Sequence, residues 1–161
     1  MKVDDLIKKL SLQPHFLGGL FSEIFRSTVK TTTEKGERCA GSAIYYLLTP
    51  QSPNGKFSQN QSEVMHVWCG GGAQVQTYIM TDGTVKEHIL GPRVDLGQYP
   101  QVVLPARAWK TTRLLEQDKY SLESEVVLPG WEQCDFKVGR AEELVALFPQ
   151  HKDLIEKNTL H

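Results

Sequence analysis

FSQNQSEVMHVWCGGG, residues Phe57–Gly72, is the stretch on which the reading of this chain turns. Side chains of a strand point alternately to its two faces. From Glu63 onward that puts Glu63, Met65, Val67 and Cys69 on one face and Val64, His66 and Trp68 on the other. Three glycines, Gly70-Gly71-Gly72, close the segment. They lack the strand–loop–helix setting and the Lys-Ser/Thr pair of a phosphate cradle, so they read as a turn.

Further strands flank this one on both sides. Leu20–Thr28 alternates, with Phe21, Glu23, Phe25 and Ser27 opposite Leu20, Ser22, Ile24 and Arg26. Ser42–Leu48 (SAIYYLL) is apolar throughout, the pattern of a strand covered on both faces. Ala73–Met80 and Thr84–Leu90 flank Asp82-Gly83, a hairpin signal. Gln101–Leu104, Ala108–Leu115 and Ser121–Leu128 follow, with Pro105 and Asp118 in the breaks. Thr31–Arg38 reads as a loop. Helical periodicity appears only at the ends: Val3–Leu10 is halted by Pro14, and Ala141–Phe148 and His151–Asn158 close the chain. About eight short strands bracketed by helices point to an all-β sandwich or jelly-roll barrel. One domain is expected over 1–161, with a helix at about 2–11, the barrel at about 19–136 and helices at about 140–158.

Composition narrows the function. A length of 161 residues and a net charge of −1 fit one soluble globule, with no charge excess to attract nucleic acid or a membrane surface. No apolar run reaches the roughly 18 residues of a membrane span, and MKVDDLIKKL lacks the apolar core of a signal peptide. Cys39, Cys69 and Cys134 are odd in number and widely spaced, which points to reduced thiols and a cytoplasmic protein.

Particular words then align in order along residues 5–148. They are Pro14-His15 with Gly18-Gly19, Phe21-x-Glu23-x-x-Arg26-Ser27, Ser42–Leu48, Glu63 with Gly70, and Asp82-Gly83. Leu90-Gly91, Gln101–Pro105 with Trp109, and Leu128-Pro129-Gly130-Trp131 before Asp135-Phe136 complete the set. In these words the chain resembles the cupin superfamily, in particular its DUF985 or cupin-5 family. The resemblance implies a double-stranded β-helix, a homodimer and an interior ligand cavity.

The metal motifs of that superfamily are H-x-H-x(3,4)-E-x(6)-G and P-x-G-x(2)-H. Glu63 and Gly70 fit the end of the first, which puts Phe57 and Gln59 at its histidine positions. Pro105 opens the second, with Arg107 at its glycine and Lys110 at its histidine. Phenylalanine cannot coordinate and a lysine ammonium repels cations, so no metal and no other cofactor is expected. The cupin-5 family also usually carries histidine where Phe57 stands, Asp at Ser62, Trp at Met65 and Pro-Glu at Phe16-Leu17.

The resemblance turns Glu63 into the barrel, where Lys110 would pair with it from the opposite wall or else keep its ammonium in water. Arg26 suits an anionic ligand through its planar fork, or forms a structural ion pair with Glu23 of a dimer mate or neighbouring strand. Of Tyr45 and Tyr46, one presents a phenol to the cavity, a proton donor in superfamily sugar epimerases. His66 faces away from Glu63 by parity, as a packed histidine would. His15 reads as a turn residue, His88 as exposed and Cys69 as a small buried side chain. The expected ligand-binding set is Arg26, Tyr45, Glu63, Met65, Gln101 and Lys110, and the acid–base candidates are Tyr45, Glu63 and His66. The first functional expectation is a metal-free barrel for a small polar or anionic molecule. The alternatives are a metal-independent epimerase or isomerase, and a non-catalytic structural or interaction dimer.

Overall fold

The structure is a computed structural model that describes residues 2–117 and 119–160, so the break assigned to Asp118 lies outside the described residues. Thirteen strands and three α-helices are formed among them. In chain order they are α1 (Val3–Lys9), β1 (Gln13–Pro14), β2 (Leu20–Arg26), β3 (Lys30–Thr33), β4 (Gly36–Cys39), β5 (Ser42–Leu48), β6 (Asn54–Asn60), β7 (Glu63–Gly71) and β8 (Gln74–Ile79). Then come β9 (Val85–Leu90), β10 (Gln101–Leu104), β11 (Trp109–Leu114), β12 (Ser121–Leu128), β13 (Phe136–Val138), α2 (Ala141–Leu147) and α3 (Lys152–Asn158). No helix of the described residues is long and apolar enough to cross a membrane.

Two antiparallel sheets face one another in a jelly roll. One runs β1-β2-β5-β12-β7-β10 and the other β13-β6-β11-β8-β9. Each outer face has its own cover. Leu6 and Leu12 pack on Leu47 and Leu122 of the first sheet, with Tyr45 beside them. Phe57, Ile79 and Trp109 of the second sheet pack on Leu144, Phe148 and Ile155 of the C-terminal helices. That double coverage is why β5 and β8 are buried along almost their whole length.

Two expected elements differ. Thr31–Arg38 is no loop, since β3 and β4 pair as a hairpin with Thr31 opposite Arg38. Polar residues form it because both its faces meet water over most of its length. Phe57–Gly72 is two strands rather than one, broken at Gln61-Ser62, so Phe57 and Gln59 belong to β6 and Glu63 to β7. The glycines are also more than a turn: Gly70 and Gly71 finish β7, opposite Leu122 and Ser121 of β12. Cys69 is exposed, left over by the register shift between Leu122 and Glu123.

Candidate functional site

Register decides which side chains meet inside the barrel. On β7, Val64 and His66 face inward and are fully buried, while Glu63 is exposed. β12 runs antiparallel beside it, setting Glu125 opposite His66 and Glu123 opposite Trp68. Across the barrel, β8 and β11 pair Tyr78 with Lys110 and Gln76 with Thr112, which puts these four on one face. An acidic, basic and amide cluster therefore fills the middle of the interior.

Lys110 Nζ donates to Glu125 Oε1 at 2.7 Å, and both side chains are about nine-tenths buried. His66 Nδ1 lies 3.0 Å from Glu123 Oε2, and 3.8 Å from Glu125 Oε1. Gln76 Nε2 donates to the same Glu123 oxygen at 3.0 Å. Burial pushes the Glu123 carboxyl up to about 7, although the Lys110 charge draws it down. Burial also pushes the His66 imidazole down to about 3, helped by Lys110. Of the two, Glu123 is therefore the group that titrates near neutral pH, while His66 is neutral there. His66 Nε2, Glu123 Oε1 and the Tyr78 hydroxyl are buried without a protein partner among the described residues.

A pocket of about 50 Å³ opens over this cluster, lined by Lys110 and Glu125 at its floor and by His15, Tyr46, Ser58 and Asn60 among its walls. Tyr46 is fixed there by donating its hydroxyl to the Gly18 carbonyl at 2.8 Å. The left-handed backbone of Gly18 and Gly19 allows this approach, because a side chain on Gly19 would collide with the Tyr46 ring.

Of the residues expected from the sequence to bind ligand, only Lys110 lines this pocket. Glu63 and Met65 lie on the outer face of β7, and Gln101 donates to Met65 Sδ at 2.9 Å on the same outer surface. Lys110 accordingly pairs with Glu125 rather than with Glu63 or water. Tyr45 points outward against the α1 cluster, so the interior phenol is that of Tyr46. Arg26 is engaged by Glu23 of its own strand at 2.7 Å and by Glu132 at 3.2 Å. Strict alternation would separate Glu23 from Arg26, but a bulge between Glu23 and Phe25 restores them to one side. Phe57 and Gln59 face away from the interior, Phe57 into the C-terminal helices and Gln59 onto the Arg107 carbonyl at 2.7 Å. His88 is half-buried, its ring between those of Tyr78 and Tyr99. Glu123, Glu125 and Gln76 escaped the sequence reading. The one local signal of the two glutamates is a pair of acids two apart in a β-run, SLESEVVL, which looks like an ordinary solvated face.

These features define a jelly-roll barrel with a polar interior site. Residues 4–139 match the family described as "Cupin superfamily (DUF985)", and the chain belongs to it. An uncharacterised protein of Saccharomyces cerevisiae is 32% identical over 155 residues, covering 88% of this chain and 77% of that one. A hypothetical protein from Leishmania major has a TM-score of 0.93 at 28% identity, with 100% of both chains covered. A Shewanella oneidensis protein gives a TM-score of 0.89 at 28% identity, covering 99% of this chain and 98% of that one.

The fold raises the question of a metal ion. His66, Glu123 and Glu125 each offer a ligand atom, all within 4.8 Å of one another. Three protein ligands are what zinc-type sites ordinarily require. Here, however, a fourth group is already in place: the Lys110 ammonium holds Glu125 at 2.7 Å and would repel a second cation. The residues present do not fit a divalent ion while Lys110 keeps its charge.

Two outcomes are expected. Lys110→Ala should take up about one equivalent of Co²⁺ with a visible absorption band, whereas the native protein shows none; a full equivalent bound by the native protein would contradict this. The second concerns pH. A carboxyl raised in the folded state stabilises below its unfolded value of 4.5, and that contribution is lost as pH rises through about 7. A shift of this size corresponds to about 3 kcal/mol. Thermal unfolding between pH 5 and 8 should therefore show stability falling with pH in the native protein and a flatter profile in Glu123→Gln.

Proposed function

We propose that this barrel binds a small polar, anionic molecule in its interior without a metal. The observation that carries the reading is the buried Lys110 ammonium at the floor of the pocket. Its bond to Glu125 uses one of three N–H donors. The other wall cation, Lys56, turns its ammonium to the Lys157 carbonyl at 3.2 Å, which leaves Lys110 as the positive charge facing the pocket. Size limits the ligand. About one atom-sized sphere per 10–15 Å³ gives room for about four heavy atoms in a 50 Å³ pocket. Ordinary drug-sized sites run from about 300 Å³.

A second reading, proton transfer on the bound molecule, is favoured by the His66–Glu123 pair and the unpartnered His66 Nε2. A general base needs its pKa near the working pH and a partner that orients it, and the pair supplies both. Neither residue lines the pocket, however, so a proton would have to pass by way of Glu125, 3.8 Å from His66. An epimerase acting on a whole sugar ring fits less well, because a ring exceeds the room available. Its phenol would have to come from Tyr46, whose hydroxyl proton is committed to Gly18.

We further propose that a second copy of the chain covers the outer face of the first sheet. Register aligns Phe25, Ala43, Val126, Met65 and Val103 in one apolar row across five strands. Phe25 and Val103 are each 54% exposed, at its two ends. Contiguous apolar surface of this kind marks an interaction site.

A thermal-shift screen tests the ligand: formate, acetate and phosphate should stabilise the native protein, glycerol should not, and Lys110→Met should abolish the response. Silence from all three anions would overturn the proposal. For the dimer, light scattering should give twice the chain mass for the native protein and the single mass for Val103→Glu; a native monomer would refute it.

A further inference from the structure

The sequence gives His15 no role beyond a turn, yet its ring forms part of the pocket wall. The ring is held on several sides. It stacks on Phe16 with centroids 4.7 Å apart, and meets Phe21 and Tyr46 edge-on at 5.1 and 6.1 Å. The backbone fixes it as well: His15 N–H donates to the Gly19 carbonyl at 3.0 Å and Gly18 N–H to the His15 carbonyl at 2.9 Å.

One further bond settles the proton. The Leu17 backbone N–H points at His15 Nδ1 from 3.1 Å. A backbone N–H can only donate, so Nδ1 must accept and carries no hydrogen. Burial pushes the imidazole pKa down, which keeps the ring neutral. In a neutral imidazole whose Nδ1 accepts, the hydrogen sits on Nε2. No described residue takes that hydrogen, so His15, which lines the pocket with the Lys110–Glu125 pair, keeps an unused N–H donor.

We propose that His15 is a specificity-determining residue whose Nε2–H, together with the Lys110 ammonium, takes a carboxylate of a formate- to acetate-sized acid. This rests on the binding role proposed above and names its ligand class. His15 and Lys110 line the same small pocket, and the Lys110 charge is near enough to act on the His15 ring. A carboxylate has two oxygens to accept from both and makes charge-assisted bonds, whereas a neutral alcohol of equal size has one oxygen and makes weaker ones. The Glu125 carboxylate also faces the pocket, but its charge is offset by Lys110 at 2.7 Å. The Ser58 hydroxyl and Asn60 amide on β6 remain as neutral partners for whatever the acid carries beside its carboxylate.

The test is acetate titration followed by NMR, with ethylene glycol as the neutral probe. In the ligand-free protein the ¹⁵N shifts of His15 should report hydrogen on Nε2 and none on Nδ1. Acetate should move the Nε2–H resonance, and ethylene glycol should not. His15→Phe keeps an aromatic ring and should weaken acetate at least tenfold, while His15→Asn, which keeps a donor, should stay within about threefold of native. Unfolding temperatures of both variants check that the pocket survives. A hydrogen on Nδ1, or native affinity in a folded His15→Phe, would overturn the role of His15. If Lys110→Met still abolishes acetate binding in that case, the binding role stands alone. If acetate moves neither the His15 nor the Lys110 resonances of the native protein, both proposals fall.

Discussion

The interior depends on one buried ion pair, Lys110 with Glu125. A lone charge in this volume would be costly to bury, and each partner has the opposite charge 2.7 Å away. Removing one partner of such a pair typically costs about 3–5 kcal/mol, because the remaining charge stays buried alone. The pair also sets the chemistry around it. Its ammonium adds to burial in depressing the His66 imidazole and competes for the carboxylates that a metal would need. Its position sets an ammonium and a carboxylate side by side at the floor of the pocket.

The packing explains how so polar a centre is tolerated. Apolar layers enclose it: Val64, Val102, Leu104 and Val127 on one side, Leu48 and Leu114 on another. The helices at both chain ends then seal the outer faces of the sheets, so the strands bury both sides without exposing large apolar areas there. What stays exposed is the two ends of the apolar row, Phe25 and Val103, with Met65 and Val126 half-buried between them.

Much of the architecture was legible in the sequence. Alternation and turn residues gave β5, β10 and β12 to the residue and located the three helices. Ordered words such as Gly18-Gly19 and Leu128-Pro129-Gly130 carried the family. The site was much less legible. The family resemblance implied that Glu63 points inward, whereas β7 turns Glu63 out and His66 in. Parity within that strand had separated the two residues correctly, but parity alone does not say which face is the core.

The sequence by itself determined the all-β class with flanking helices, several of the longer strands and the family, because these follow from local periodicity and from words read in series. The β3–β4 hairpin and the division into β6 and β7 did not follow from it. Only the tertiary structure decided what FSQNQSEVMHVWCGGG contributes. Its break at Gln61-Ser62 sends Phe57 to the C-terminal helices and His66 to the barrel centre. The partners of His66 arrive from residues 123 and 125 through antiparallel register, a relation between distant segments that no local pattern encodes. A bulge likewise reunites Glu23 with Arg26, and one backbone N–H fixes the proton of His15. Which face of a strand becomes interior depends on what packs against it, and that is settled only when the sheets close.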